Sequence, residues 1–149
     1  MRAVVQRVKS SKVEVDGQII GEIGGGLNVL LGISVKDADE DVIYMKNKIL
    51  NLRIFEDENG KLNRSLLDVQ GELLVISQFT LYGDCRRGRR PSFVNALSGD
   101  KARIIYEKFI DECKNSVCKV ETGKFGADML VTIENDGPVT LMIDSEKNF

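Results

Sequence analysis

The sequence predicts an α+β fold: a curved, barrel-like β-sheet with two main helices in a single domain over residues 1–149. Three observations lead there. β-branched residues alternate through the first third of the chain, whereas apolar residues recur at helical spacing in only two places, after Asp37 and around Ala102–Phe109. No linker, repeat or low-complexity tract divides the 149 residues, of which 42% are hydrophobic and 30% charged.

Residues 2–8 and 12–15 read as strands, and Asp16-Gly17 separates Val13-Glu14-Val15 from Gln18-Ile19-Ile20 as a hairpin turn. Gly24-Gly25-Gly26 reads as a turn before the strand Leu27–Ile33, because a phosphate loop would continue into Gly-Lys-Ser/Thr and a helix. Asp37 with Glu40 three residues on makes a capping-box-like start, and Val42, Met45, Ile49 and Leu52 continue it as a helix of about 13 residues. The acidic opening Asp37, Asp39, Glu40 and Asp41 suits the positive end of a helix dipole rather than a metal. A short strand, Arg53-Ile54-Phe55, then leads to a turn at Asn59-Gly60.

The stretch Glu72–Tyr82 is an apolar strand that turns polar in its second half. Ser77, Gln78 and Thr80 stand where a buried strand would carry aliphatic side chains, which is a way of lining a pocket. The second helix carries Ala102, Ile105, Tyr106 and Phe109 on its apolar side, with Cys113 near its end as a small core or boundary residue. Strands around Val117–Val120, Met129–Ile133 and Val139–Ile143 bring the total to roughly seven or eight.

Between the last two strands lies Asn135-Asp136-Gly137-Pro138-Val139-Thr140, with one of only two prolines where average usage would give about seven. One reading is a tight turn in which Asn135 and Asp136 supply side-chain acceptors. The other is a rigid X-Pro unit, able to adopt the cis form and to aim two carbonyl oxygens the same way. The residues themselves leave both readings open.

The composition narrows the chemistry. There is no histidine, which excludes a Ser-His-Asp triad, a Cys-His dyad and every histidine-containing metal set. Three cysteines, Cys85, Cys113 and Cys118, lack CxxC spacing and suit a reducing compartment without a disulfide framework. The opening Met1–Val8 reads as a strand rather than a signal peptide, and no apolar run nears the roughly 18 residues of a membrane span. A cytoplasmic protein with no membrane association is therefore expected. A net charge of −2 does not suit a protein that coats nucleic acid. The one basic patch, Arg86, Arg87, Arg89 and Arg90 around Gly88, reads either as a phosphate grip or as a solvated loop. Cys85 beside Arg86 and Arg87 offers a thiolate chemistry as a rival.

Four motifs occur in order at family length: Ser77-Gln78-Phe79-Thr80-Leu81-Tyr82, Arg89-Arg90-Pro91-Ser92-Phe93, Phe125-Gly126-Ala127-Asp128-Met129 and Asn135-Asp136-Gly137-Pro138-Val139-Thr140. With the opening Met1–Val8, they make the whole chain resemble the D-aminoacyl-tRNA deacylases. The resemblance implies a homodimeric hydrolase, without cofactor or metal, that cleaves the ester between a D-amino acid and the 3′-terminal adenosine of tRNA. By the same resemblance Ser77, Gln78, Phe79 and Thr80 form the catalytic pocket strand. Gly137 and Pro138 are then a cis unit that reaches into the partner's site and selects chirality, supported by Arg7, with Phe125, Ala127 and Met129 on the substrate side. Arg86, Arg87, Arg89 and Arg90 are the expected tRNA contacts.

An aminoacyl ester is already activated, so a positioned water and donors for the oxyanion suffice, and no histidine is needed. Without a base the Thr80 hydroxyl is a weak nucleophile, so the vicinal 2′-OH of the substrate is the expected activator of water. Steric exclusion of an L side chain leaves glycine incompletely rejected, and by the resemblance glycyl-tRNA mischarged on tRNA(Ala) is an expected further substrate. The contrasting expectation is a noncatalytic tRNA- or RNA-binding dimeric module.

Overall fold

A computed structural model describes all of residues 1–149. β1 (Arg2–Val15) is the longest-paired strand of the molecule. Along one edge it pairs antiparallel first with β3 (Gly26–Gly32), from Arg2 to Val8, and then with β2 (Gln18–Ile23), from Ser11 to Val15. Along its other edge it pairs antiparallel with β8 (Leu130–Asp144), from Arg2 to Glu14. Residues 2–8 and 12–15, expected as two strands, are thus one: Ser10 and Ser11 stay in the ladder with β8, and Ser11 Oγ donates to Thr132 O at 2.9 Å.

The sheet extends from β3 through parallel pairing to β6 (Glu72–Ser77) and then β7 (Val120–Thr122). The connection between β3 and β6 carries α1 (Asp39–Leu50) and a small hairpin of β4 (Phe55–Glu56) and β5 (Leu62–Arg64). That between β6 and β7 carries α2 (Gly99–Lys114). Parallel neighbours need such crossovers, and these lay both helices on one face. The sheet curls so that β2 comes over β6 and β7, giving the barrel-like form expected from the sequence.

The central strands are buried on both faces. Leu73 and Val75 of β6 enter the main core with Val29, Leu31, Met45, Ile49, Tyr106 and Phe109 under the helices. Leu74 and Ile76 point the other way into the barrel interior with Val8, Val13 and Ile23. Double burial explains why β6 reads as an unbroken apolar run instead of an alternating one. Burial also pushes the Cys113 thiol up to about 12, as suits a core residue.

Several boundaries differ from expectation for identifiable reasons. The strand expected over residues 72–82 stops at Ser77, because its partner β3 ends at Gly32; after Gln78 N–H donates to Leu31 O at 2.8 Å there is no ladder left. Residues Phe79–Tyr82 turn instead into one 3₁₀ turn. The last regular strand before β8 lies at Val120–Thr122, not Val117–Val120, and Val117 packs into the core as the chain leaves α2. The expected cap Asp37 is not the cap of α1. Ala38 takes that position, its N–H donating to Asp41 at 3.0 Å, while Asp37 binds the Met1 ammonium at 2.5 Å and Ser34 N–H at 2.7 Å. Burial raises the Asp37 carboxyl despite that ammonium.

The triple glycine is the corner between β2 and β3, and its last member is dictated by packing: a Cβ on Gly26 would lie 1.9 Å from Glu72 O. Gly26→Ala is expected to destabilise the fold by about 3 kcal/mol, since backbone rather than a movable side chain must yield. Thermal unfolding measures this, and an unchanged midpoint would show that β3 and β6 can separate without cost.

Candidate active site

A cleft of about 410 Å³ opens where β6 ends. Ile76, Ser77, Gln78 and Phe79 form one wall, and Phe125, Gly126, Ala127, Asp128, Met129 and Val131 form the opposite one. Leu97, Ser98 and Gly99, at the start of α2, close a third side. The chain segments are held from below. Phe125 packs on Tyr106 with ring centroids 5.7 Å apart, and the Tyr106 hydroxyl donates to Val75 O at 2.7 Å. The polar strand end and the 125–129 loop therefore hang from the same core.

The end of β6 supplies donors. Phe79 and Thr80 open the 3₁₀ turn, so their backbone N–H groups have no acceptor within that turn. Phe79 is exposed at the rim and meets the edge of Phe93 at 5.0 Å. Gln78 Nε2 donates to Thr80 Oγ1, which occupies the threonine oxygen as an acceptor. Thr80 itself does not line the cleft. Asp128 is the one ionisable side chain among the lining residues, so the site holds no acid-base pair.

Of the residues expected to share a site, the chain brings Ser77, Gln78, Phe79, Phe125, Ala127 and Met129 together. It keeps Arg7, Gly137 and Pro138 elsewhere. Asn135–Thr140 is not a turn between two strands: Asn135 pairs with Val8 and Thr140 with Gln6, both on β1, so β8 runs on through it in one direction. Asp136, Gly137, Pro138 and Val139 bulge outward opposite the single residue Arg7. The Gly137–Pro138 peptide is cis, and both residues are exposed.

Arg7 fastens the base of this bulge. It is 6% exposed, donates from one terminal nitrogen to Ile54 O at 2.8 Å and from Nε to Asp136 O at 3.3 Å, and lies 3.3 Å from the Asp136 carboxylate. Gly137 has φ +116°, and a Cβ there would lie 2.9 Å from a Val139 methyl and 3.1 Å from the Arg7 guanidinium. Only glycine combines that backbone with that approach.

The arginine loop is less uniform than its sequence. Arg86 is bound bidentately by Asp84, at 2.9 and 2.7 Å, and the Asp84 carboxyl is held far below the usual carboxylate range by those bonds. Of the two cations expected beside Cys85, Arg86 is thereby neutralised, and Cys85 lies in a separate hollow with Arg2, Tyr82, Arg86 and Asn95. Arg87, Arg89 and Arg90 are exposed.

Reading the sequence for site residues missed Leu97, Ser98, Gly99 and Asp128. Asp128 lies inside the Phe125–Met129 motif, and Ser98-Gly99 opens an amphipathic helix, a position where first-turn N–H groups are left unpaired. No helix of the chain is long and apolar enough to cross a membrane.

Comparison with known proteins finds relatives over nearly the whole chain. A family described as D-Tyr-tRNA(Tyr) deacylase matches residues 4–144. A D-aminoacyl-tRNA deacylase of Clostridium kluyveri is 79% identical over 149 residues, covering all of both chains, and one of Clostridium tetani is 70% identical over the same span. The solved structure of a c-Myc DNA unwinding element binding protein superposes with a TM-score of 0.92 at 44% identity, covering 97% of this chain and 98% of that one. A probable eukaryotic D-amino acid tRNA deacylase shares the fold, with a TM-score of 0.84 at 18% identity and coverage of 95% and 97%.

Arg7→Ala is expected to lower stability by about 2 kcal/mol, because it leaves two inward carbonyl oxygens without donors. Arg7→Lys recovers only part of this, since one ammonium cannot serve both. Urea unfolding decides: a midpoint equal to wild type in both variants would show that the guanidinium does not anchor the bulge.

Proposed function

The chain belongs to the D-Tyr-tRNA(Tyr) deacylase family and is a D-aminoacyl-tRNA hydrolase, and on that premise we propose how it performs the cleavage and selects its substrate. The substrate's terminal adenosine and aminoacyl group enter the cleft at the end of β6. Water attacks the ester carbonyl, the bond to the ribose 3′ oxygen breaks, and free tRNA and a D-amino acid leave. One observation carries this reading: the 3₁₀ turn that opens at Phe79 and Thr80, with its first N–H groups, follows directly on the polar end of β6, where Ser77, Gln78 and Phe79 border a largely apolar cleft without an acid-base pair. Such a site suits an activated ester, whose hydrolysis needs an oxyanion held and a water placed rather than a strong nucleophile.

Thr80 shapes the site in this scheme. Its oxygen accepts from Gln78, which draws electron density away from any attack, and no base stands beside it. The 2′-OH of the terminal ribose activates the water and passes its proton to the leaving 3′ oxygen. Ser77 and Gln78 hold the ribose and ester, and Phe125, Ala127 and Met129 face the aminoacyl group.

Chirality is selected by a second copy of the chain. Gly137 and Pro138 are exposed and absent from their own cleft, which supports their insertion across a homodimer into the partner's. Their carbonyl oxygens receive the substrate ammonium and leave no space for an L side chain. Glycine escapes this exclusion, so glycyl esters of tRNA, glycyl-tRNA(Ala) among them, are second substrates. Arg87, Arg89 and Arg90 contact tRNA phosphates, whereas Arg86 is committed to Asp84. The protein acts in the cytoplasm, among charged tRNAs.

With matched D- and L-tyrosyl-tRNA, the D ester is expected to disappear at least about a hundredfold faster. Equal rates would overturn the selection, and tRNA binding without ester loss would favour a noncatalytic module. Thr80→Ala is expected to slow turnover without abolishing it, and a substrate ending in 2′-deoxyadenosine to lose about a hundredfold or more. An acyl adduct trapped on wild-type Thr80 would reverse that assignment.

A further inference from the structure

The outward bulge of β8 has a narrow neck, and one side chain spans it. Asn135 Nδ2 donates to Val139 O at 3.0 Å, on the far side of the bulge, and to Arg7 O at 3.0 Å, on the neighbouring strand. Its Oδ1 accepts from Thr140 Oγ1 at 3.0 Å and, at the limit of range, from Gln6 Nε2 at 3.5 Å. All four hydrogen-bonding positions of the amide are thus used. The carbonyls it holds belong to the residue after Pro138 and to the residue whose guanidinium grips Asp136 O.

Arg7 and Asn135 therefore hold the two ends of the bulge separately. Arg7 fastens the entry, at Asp136, and Asn135 fastens the exit, at Val139. A guanidinium could tilt with Asp136 as the bulge swings; a closed neck does not allow this. The sequence pointed to Asn135 as an acceptor for nearby backbone, yet it is the donor face that does the fastening. Aspartate matches asparagine in size but would turn a carboxylate toward both carbonyls. Glutamine is one methylene too long for the same span.

We propose that Asn135 is a positioning residue for substrate chirality: by closing the neck of the 136–139 bulge with its amide, it sets the reach and aim of Gly137 and Pro138. It touches neither substrate nor reacting atoms. The proposal rests on the reading that Gly137–Pro138 is the chirality filter. A bulge that swings admits L side chains, so loss of the clamp shows as a leak toward L esters before it shows as loss of fold.

The test compares D- and L-tyrosyl-tRNA hydrolysis by wild type, Asn135→Asp, Thr140→Val and Gly137→Ala, with thermal unfolding of each. Asn135→Asp is expected to lower the D-to-L ratio of kcat/KM by about tenfold or more. Thr140→Val removes one donor to Oδ1 and is expected to lower the ratio by about threefold. The ratio for Asn135→Asp should recover in part as pH falls from about 8 to about 5, because a protonated carboxyl regains one donor. Wild type should show no such trend in the ratio, and a purely structural role would not produce it. If Asn135→Asp does not fold, Thr140→Val decides alone. A wild-type ratio in the folded Asn135 or Thr140 variants, with a lowered ratio in Gly137→Ala, overturns the proposal and leaves the filter standing. An unchanged ratio in Gly137→Ala as well overturns the filter, and the proposal with it.

Discussion

The structure depends on the long antiparallel ladder between β1 and β8, and on what happens where that ladder opens. A backbone that leaves its partner strand must find other hydrogen-bond partners or lose stability. Here four residues of β8 bulge out opposite Arg7, and the neck of the bulge is answered by two side chains, the guanidinium of Arg7 and the amide of Asn135. The same strand that pairs with β1 from Arg2 to Glu14 therefore also presents an exposed Gly137–Pro138 unit. Scaffold and outward-facing element are one continuous chain segment.

The cleft arises from a similar event on β6. That strand is buried on both faces until Ser77, and it loses its ladder where β3 stops at Gly32. The chain must turn, and a 3₁₀ turn leaves its first N–H groups unpaired. Phe79, the first residue of that turn, borders an apolar hollow made by the 125–129 loop and the start of α2. In a chain without histidine, such backbone dipoles are the strongest electrophilic groups the cleft has to offer.

Much of this was legible beforehand, for local reasons. Val42, Met45 and Ile49 at helical spacing, or Ala102, Tyr106 and Phe109, announce helices because each residue reports which face is buried. Ser77 and Gln78 announced the cleft because polar groups at the end of an apolar strand need a reason, whereas Thr80, read together with them, does not line it. The residues that escaped notice did so because their role comes from a distant neighbour. Asp37 looked like a helix cap and is instead bound to the Met1 ammonium. Arg86 looked like a free cation and is held by Asp84 through a bend in the loop. Ser98 and Gly99 carried no signal of their own and form part of the cleft wall.

The sequence by itself determined the class of fold, the two helices, the lack of a histidine-based chemistry and the family. These follow from composition, periodicity and short motifs, which depend on neighbours along the chain. Only the tertiary structure decided that Asn135–Thr140 is an excursion from one strand rather than a reversal between two. It also decided that Asn135 donates where it was expected to accept, and that Gly137 and Pro138 stand apart from their own chain's cleft. Alternation of apolar residues reports burial but not which strand lies alongside or in what register. A hairpin and a bulge can share one local pattern, and only the pairing of Val8 with Asn135 and Gln6 with Thr140 tells them apart.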